Sequence, residues 1–289
     1  MTVVSIVNTK GGVGKTTVAV NIGGFCADAG LRVLLIDLDY QATLTQYYPL
    51  VSVAPMGVYE FITNNEQNPE HYVSQTCFER LDVVYADERC RGLDSLLRDA
   101  DDGRLRLHNL LPAVTAHYDL IVLDTQGARN ATLATAMLAS DLVLSPVMPE
   151  MLAALELKSG TVLALSGIAS YQRLGIPIAP LRVLFNRVHP ISSNAVVVQD
   201  AVRNSIMEHA GVEALDSCIP ASEAFQKASA KSIPVHRAET RQPNNRRTPS
   251  ALEIIRSLVL ELFPRQDWQE LFKRVTGKKP FARVQEGNR

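Results

Sequence analysis

The stretch Val3-Val4-Ser5-Ile6-Val7-Asn8-Thr9-Lys10-Gly11-Gly12-Val13-Gly14-Lys15-Thr16-Thr17 decides how this chain is read. The β-branched run Val3–Val7 ends in a glycine-rich turn. Residues 16–29 then have helical character, with Val20, Phe25 and Ala29 apolar and Gly30 as the stop. Strand, glycine loop and helix in that order form the context that a phosphate-binding loop requires. Gly11, Gly12 and Gly14 allow the main chain around Lys10, Val13 and Thr17 to wrap closely, so that N–H groups point at anionic oxygens. The helix N-terminus adds partial positive charge. In such a loop Lys15 reaches the β- and γ-phosphates and the Thr16 hydroxyl sits on Mg²⁺. The alternative is a glycine-rich turn with a solvated lysine.

Working outward, short apolar runs alternate with helical patterns. RVLLIDL at 32–38, residues 81–86, DLIVLD at 119–124, DLVLSPV at 141–147 and LRVLFN at 181–186 read as buried strands. Near-continuous Val/Ile/Leu strands separated by helices predict an α/β fold. Its sheet is twisted and mostly parallel, with helices on both faces and ligands at the strand C-termini. Residues 40–80 read as a surface excursion and 87–117 as helical. RAETRQPNNRRTP at 237–249 reads as a polar loop, with Thr248 as an N-cap and Pro249 opening a helix. Leu252, Ile255, Val259 and Leu262 line that helix. Pro264 ends it, which predicts one body over 1–264 and a basic tail, partly helical or disordered, over 265–289.

Composition narrows the function. The 289 residues carry 29 Lys+Arg against 30 Asp+Glu, a formal net charge of −1, so any attraction to nucleic acid or membrane must come from a local patch. No apolar run reaches the length of a membrane span, and the N-terminus lacks a signal-peptide pattern. Cys26, Cys77, Cys90 and Cys218 stand too far apart for a zinc or cluster motif and read as reduced thiols.

Asp37 and Asp39 end the second strand in LLIDLDYQAT. Two positions apart, they share a face toward the strand end. Asp124 ends the strand YDLIVLD. A carboxylate there suits a Mg²⁺-bound water, as in a Walker B aspartate, or is a buried strand-end group without metal contact.

The string KGGVGKTT has Thr9 where an ordinary Walker A loop has its first glycine, and a second lysine, Lys10. It resembles the deviant Walker A loop of the ParA/MinD ATPases; with no helix-turn-helix pattern read ahead of the loop, the chain resembles the short, Soj-like branch. In that family the early lysine reaches the partner subunit's ATP. The resemblance therefore implies catalytic roles for Lys10, Lys15 and Asp39, with Asp39 orienting the attacking water. It places Thr16, Asp37 and Asp124 around Mg²⁺, and Asn186, Arg187 and Pro220 around the adenine. The family's DxDPQGN element departs here at Tyr40 and Ala42. Its Thr-Pro-Pro after the Walker B aspartate is replaced by Thr125-Gln126-Gly127. Pro146-Val147-Met148-Pro149-Glu150 with Ala154-Leu155-Glu156 resembles a further family segment.

The resemblance implies ATP and Mg²⁺ as cofactors, an ATP-sandwich homodimer, and nonspecific binding of double-stranded DNA. It also implies a ParB-like stimulating partner, a cytoplasmic, nucleoid-associated location, and a role in partitioning plasmid, chromosome or mobile-element DNA. For DNA contact the sequence offers Lys227, Lys231, Arg237, Arg241, Arg246 and Arg247, six cations within 21 positions. The alternative is a MinD-like or protein-positioning ATPase. For that reading Trp268, Leu271, Phe272 and Val275, with Lys273, Arg274, Lys278 and Lys279 nearby, form a small amphipathic anchor weakened by Asp267 and Glu270. Packing of that helix against the body is expected instead of stable membrane association. A small-molecule kinase would need an acceptor pocket that no motif locates.

Overall fold

VLLID at 33–37 and LIVLD at 120–124 show no polar alternation, so each strand must be covered on both faces. In the computed structural model of the protein every residue of both strands is buried. The structure describes residues 1–277 except Met151, 190–192, 207–208, Asn245 and Arg247. Among the described residues the strands are β1 Thr2–Ile6, β2 Val33–Asp37, β3 Leu50–Ser52, β4 Ser74–Thr76, β5 Leu81–Val84, β6 Leu120–Asp124, β7 Leu142–Val147, β8 Leu181–Val188 and β9 Val212–Pro220. They form one sheet in the order β3-β4-β5-β2-β6-β1-β7-β8-β9. The β3–β4 and β4–β5 pairs are antiparallel and all others parallel.

The helices are α1 Lys15–Asp28, α2 Val58–Thr63, α3 Pro69–Tyr72, α4 Leu93–Asp99, α5 Arg106–Thr115, α6 Ala131–Leu138, α7 Ala153–Leu157, α8 Leu163–Ile168, α9 Ser193–Ile206, α10 Glu223–Ala230, α11 Val235–Ala238, α12 Ala251–Leu262 and α13 Gln266–Arg274. Alternate strand residues enter opposite cores. Leu35 and Val122 pack with α1, α12 and α13, whereas Leu34, Ile36 and Leu123 pack with α2, α4 and α5. A third cluster lies under β7 and β8 and is covered by α7 and α9. Register pairs Ile6 and Asp37 with Asp124 from either side, so the ends of β1, β2 and β6 converge.

The parallel sheet covered on both faces is the architecture expected from sequence, but three local readings change. Residues 40–80 are not a surface excursion. They supply β3, β4, α2 and α3, and Phe61 and Tyr72 are fully buried with ring centroids 4.3 Å apart. Strands of three residues carry too little periodicity to be seen in sequence. Ser250, not Thr248, caps α12. Its Oγ accepts from the Glu253 N–H at 3.3 Å, and Pro249 stays outside the helix. Finally, the body does not end at 264, because residues 265–277 pack into it. Trp268 and Phe272 are 3% and 0% exposed and share a core with Phe25 of α1. Arg256 Nη2 donates to the Val275 carbonyl at 2.5 Å and ties down the end of α13. The helix therefore spends its apolar face on the body, as expected for it. The remainder of the tail, 278–289, lies outside the described residues. No helix among the described residues is long and apolar enough to cross a membrane.

This packing is testable. Phe272→Ala empties a fully buried ring site and is expected to cost about 3–5 kcal/mol in urea unfolding. A loss within the scatter of surface substitutions would detach α13 from the core.

Candidate nucleotide site

β1 delivers the chain into a loop whose glycines do different jobs. Gly12 and Gly14 have φ of +76° and +94°, a region that side chains occupy only under strain. A Cβ on Gly11 or Gly12 would meet no atom within 4 Å, so the loop opens as an unfilled cradle. The outside of the loop is instead tightly held. Gly127 approaches so closely that a Cβ there would lie 2.9 Å from Gly11 Cα. Gly160, in the π-helical turn Lys158–Val162, makes room for Thr9 in the same way. Asn8 accepts from the Lys10 N–H at 2.8 Å and donates to the Pro146 carbonyl at 2.9 Å. The sequence reading missed these braces. Two glycines outside the loop were the available signal, but nothing local to them shows what they approach.

The charged groups meet beneath the cradle. Lys15 is 7% exposed and its Nζ donates to the Lys10 carbonyl at 3.1 Å. Burial lowers its pKa, and the neighbouring Asp124 and Asp39 oppose that shift. Thr16 Oγ1 donates to Asp124 Oδ2 at 2.6 Å. Asp124 is fully buried, and its Oδ1 has no hydrogen-bond partner. Burial and the adjacent Asp37 push the Asp124 carboxyl well above its ordinary range. Asp37 is raised to about 6, chiefly by burial. It accepts from the Thr45 N–H at 2.9 Å, the Thr45 hydroxyl at 2.7 Å and the Asp39 N–H at 3.1 Å. Asp39 in turn accepts from the Gln41 N–H at 3.0 Å.

A hydroxyl beside an orphaned carboxylate oxygen, under an open phosphate cradle, fits a divalent cation that takes most of its ligands from phosphate and water. No group of three or more metal-ligating His, Cys, Asp or Glu side chains exists among the described residues, so the set does not fit an all-protein cage. The departures Tyr40 and Ala42 lie in the turn after Asp39. Ala42 takes φ +53°, and Arg91 lies over the Tyr40 ring at 5.4 Å. An alanine in that conformation costs about 1–2 kcal/mol.

Lys10 is not aimed into its own cradle. Its Nζ lies 2.9 Å from both Glu150 and Glu156, and their hydrogen bonds raise its pKa. On the other side of the loop a cavity of about 840 Å³ opens, lined by Thr17, Asn186, Arg187, Pro220 and Phe225 among others. Asn186 lines it, but both of its amide atoms are engaged. Nδ2 donates to the Val13 carbonyl at 2.7 Å, and Oδ1 accepts from the Arg187 N–H at 2.9 Å. It therefore braces the loop in this structure. Arg187 takes φ +55° and lies 3.9 Å from Met148 Sδ.

The five described cations among those named for DNA contact have different surroundings. Arg237 is buried. It grips Asp28 through Nε at 2.6 Å and Nη2 at 2.5 Å, and lies 4.7 Å over the Phe78 ring. Burial opposes ionisation of Asp28, but hydrogen bonds from Arg237 and His236 prevail and hold it down at about 2. Arg237 is thus committed to a contact within the fold. Arg246 is also committed, to Glu239, the Ser222 hydroxyl at 2.8 Å and the Pro249 carbonyl at 2.9 Å. Lys227 pairs with Glu223 on the surface at 2.9 Å. Lys231 and Arg241 are exposed. Arg247 lies outside the described residues.

A family model described as an AAA domain matches residues 1–161, the part that holds the loop, Asp37, Asp39, Asp124 and Glu156. The chain belongs to this family, within its ParA/MinD branch. The sporulation initiation inhibitor protein Soj of Bacillus subtilis is 34% identical over 149 residues, which are 51% of this chain and 58% of Soj. The chromosome partitioning protein ParA of Caulobacter vibrioides is 28% identical over 243 residues, 81% of this chain and 85% of that protein. Several matches span only about half of the curated relative, as with the 52% of ParA from Myxococcus xanthus. Among solved structures, apo McdA superposes with a TM-score of 0.71 at 20% identity, covering 95% of this chain and 98% of that one. A putative plasmid partition protein from Borrelia burgdorferi B31 gives 0.58 at 22% identity, covering 77% of this chain and 87% of its own. These likenesses show that the ParA-type fold is shared.

The raised carboxyls set a pH dependence. In the folded chain Asp37 keeps a proton up to about 6, whereas its ordinary value is 3.8. Folding stability from this group therefore falls as pH rises from about 4 to about 6. Metal affinity moves the opposite way, because the ligand must be ionised. Mg²⁺-dependent nucleotide affinity, measured by calorimetry, is expected to weaken by up to about tenfold per pH unit below about 6. A flat profile between pH 7 and 5 would remove these carboxylates from the metal site.

Proposed function

We propose that the chain is a Mg²⁺-dependent ATPase that pairs with a second copy around ATP. The ATP-loaded pair binds duplex DNA without reading sequence, and it acts in DNA partitioning. One observation carries this reading. The Thr16 hydroxyl and the orphaned Asp124 oxygen lie under an open glycine cradle, with the buried Lys15 alongside. The names of the relatives, chromosome partitioning proteins and a plasmid partition protein, support the biological assignment.

In this reading Lys15 neutralises the β- and γ-phosphate oxygens, and the buried site strengthens that attraction. Thr16, Asp37 and Asp124 would hold Mg²⁺, which when bound would spread the charge of the leaving phosphate. Asp37 keeps the Asp39 backbone in place through the Asp39 N–H, and Asp39 orients the attacking water. The cavity beside Thr17, Arg187 and Pro220 receives the nucleoside. Lys10 leaves Glu150 and Glu156 to reach the nucleotide of the other copy. Exposed ion pairs are each worth about 0–1 kcal/mol, so a γ-phosphate across the interface competes easily. A partner protein that stimulates hydrolysis completes the cycle, and the complex resides on the cytoplasmic nucleoid.

Sedimentation with ADP and with ATP separates these roles. Lys15→Ala is expected to lose nucleotide binding. Lys10→Ala is expected to bind ATP yet remain monomeric, with turnover reduced by about 10³-fold or more. Asp39→Ala is expected to accumulate as the ATP-bound pair. An ATP-induced pair formed equally well by Lys10→Ala would refute the trans role.

For DNA, Lys231 and Arg241 are the exposed cations of the cluster that have no ion-pair role in the described structure. Reversing both to Glu is expected to weaken duplex binding and to lower the slope of log affinity against log salt by about 2. ATP affinity should be unchanged. Equal DNA affinity in that variant would move the contact surface elsewhere.

A further inference from the structure

We propose that the groove between α4, α6 and α8 is a docking site for an acidic, amphipathic segment of a partner protein. The groove holds a cavity of about 330 Å³ walled by Arg98, Arg104 and Arg129 and floored by Ala134, Ala164 and Gly167. It continues past Arg98, Arg104 and Gly167 into a second cavity of about 480 Å³ that ends at the exposed Leu174.

Charge complementarity identifies the occupant. Among the described residues Arg104 and Arg129 have no carboxylate partner, and Arg98 reaches Asp94 and Asp99 at 3.4 Å and the Ser95 hydroxyl at 3.2 Å. Asp94 is already spent, since its Oδ1 accepts from the Ala131 N–H at 2.6 Å at the start of α6. Three exposed guanidinium groups thus face a recess whose one carboxylate serves the fold. Guanidinium forks match carboxylates bidentately. The apolar floor calls for alkyl groups between those carboxylates, which is the helix-in-groove mode of peptide recognition. Duplex DNA fits less well. Its sugar–phosphate backbone has no alkyl side chain to place on the floor.

The position of the groove gives docking a consequence. Arg129 belongs to the loop that runs from Asp124 to Asn130, and Asn130 caps α6 by accepting from the Leu133 N–H at 2.9 Å. α8 runs back through the π-helical turn to α7, which carries Glu156, the partner of Lys10. A bound segment would therefore touch both elements whose far ends hold the phosphate site. That coupling rests on the ATPase reading, whereas docking itself does not.

Docking is tested without nucleotide. A random twelve-residue peptide display library is selected on the full-length protein and scored by sequencing. The expected pool is enriched at least about twofold in Asp and Glu together with apolar residues. An individual selected peptide should lose at least about tenfold in affinity when the protein carries Arg104→Glu and Arg129→Glu. Gly167→Phe supplies a charge-independent check. A Cβ at Gly167 meets nothing within 4 Å, so the ring fills the groove without displacing the fold, and peptide binding should again fall at least about tenfold. A neutral or basic pool, or peptides that bind both variants as well as the native chain, would overturn the proposal. So would a 20-base-pair duplex whose affinity falls in the arginine variant while peptide binding is unchanged. Saturating selected peptide is then expected to change ATP turnover. If the native chain hydrolyses no ATP at all, the ATPase reading fails while the peptide result stands.

Discussion

Two fully buried carboxylates stand side by side at the ends of adjacent parallel strands. Asp37 and Asp124 are register partners; burial raises the pKa of both, and the neighbouring Asp37 raises that of Asp124 further. Burying one charge is costly and burying two alike is worse, so the arrangement persists only where cations and donors are close at hand. Lys15, Thr16 and Thr45 supply part of that compensation, but Asp124 Oδ1 still lacks a partner. An unsatisfied acceptor at the centre of a folded protein marks a site organised for something that arrives from outside. The sheet, the loop and the first helix are arranged around that point.

The loop is held as firmly from outside as it is open within. Gly127 and Gly160 press against its back, and Asn186 grips the Val13 carbonyl. Because interiors pack densely, such contacts make the cradle a rigid receptor instead of a flexible glycine strand. The turn after Asp39 shows how a departure is absorbed. Ala42 adopts the left-handed backbone that a glycine would take without strain, so the turn carries some energetic cost.

Cations that look alike in sequence have different fates in the fold. Arg237 is folded under, where it ionises Asp28 and stacks on Phe78, and Arg246 fastens its own loop to the start of α10. Arg98, Arg104 and Arg129, which are scattered in sequence, meet in one groove. A count of lysines and arginines along the chain measures neither burial nor convergence, and those two properties determine which charges a partner can touch.

Much of the fold and the phosphate site was legible because local order carries them. A β-branched run, a glycine loop with Lys15 and Thr16, and strands ending in aspartate each speak within a few residues. The sequence by itself determined the parallel α/β sheet and placed Lys15, Thr16, Asp37 and Asp124 near its C-terminal edge. Only the tertiary structure decided that residues 40–80 extend the sheet, that α13 closes the core, and that Lys10 rests on Glu150 and Glu156. The physical reason is range. Strand ends are positioned by hydrogen-bonded neighbours, whereas these contacts join residues far apart in the chain, and nothing in either partner's local sequence encodes where the other will lie.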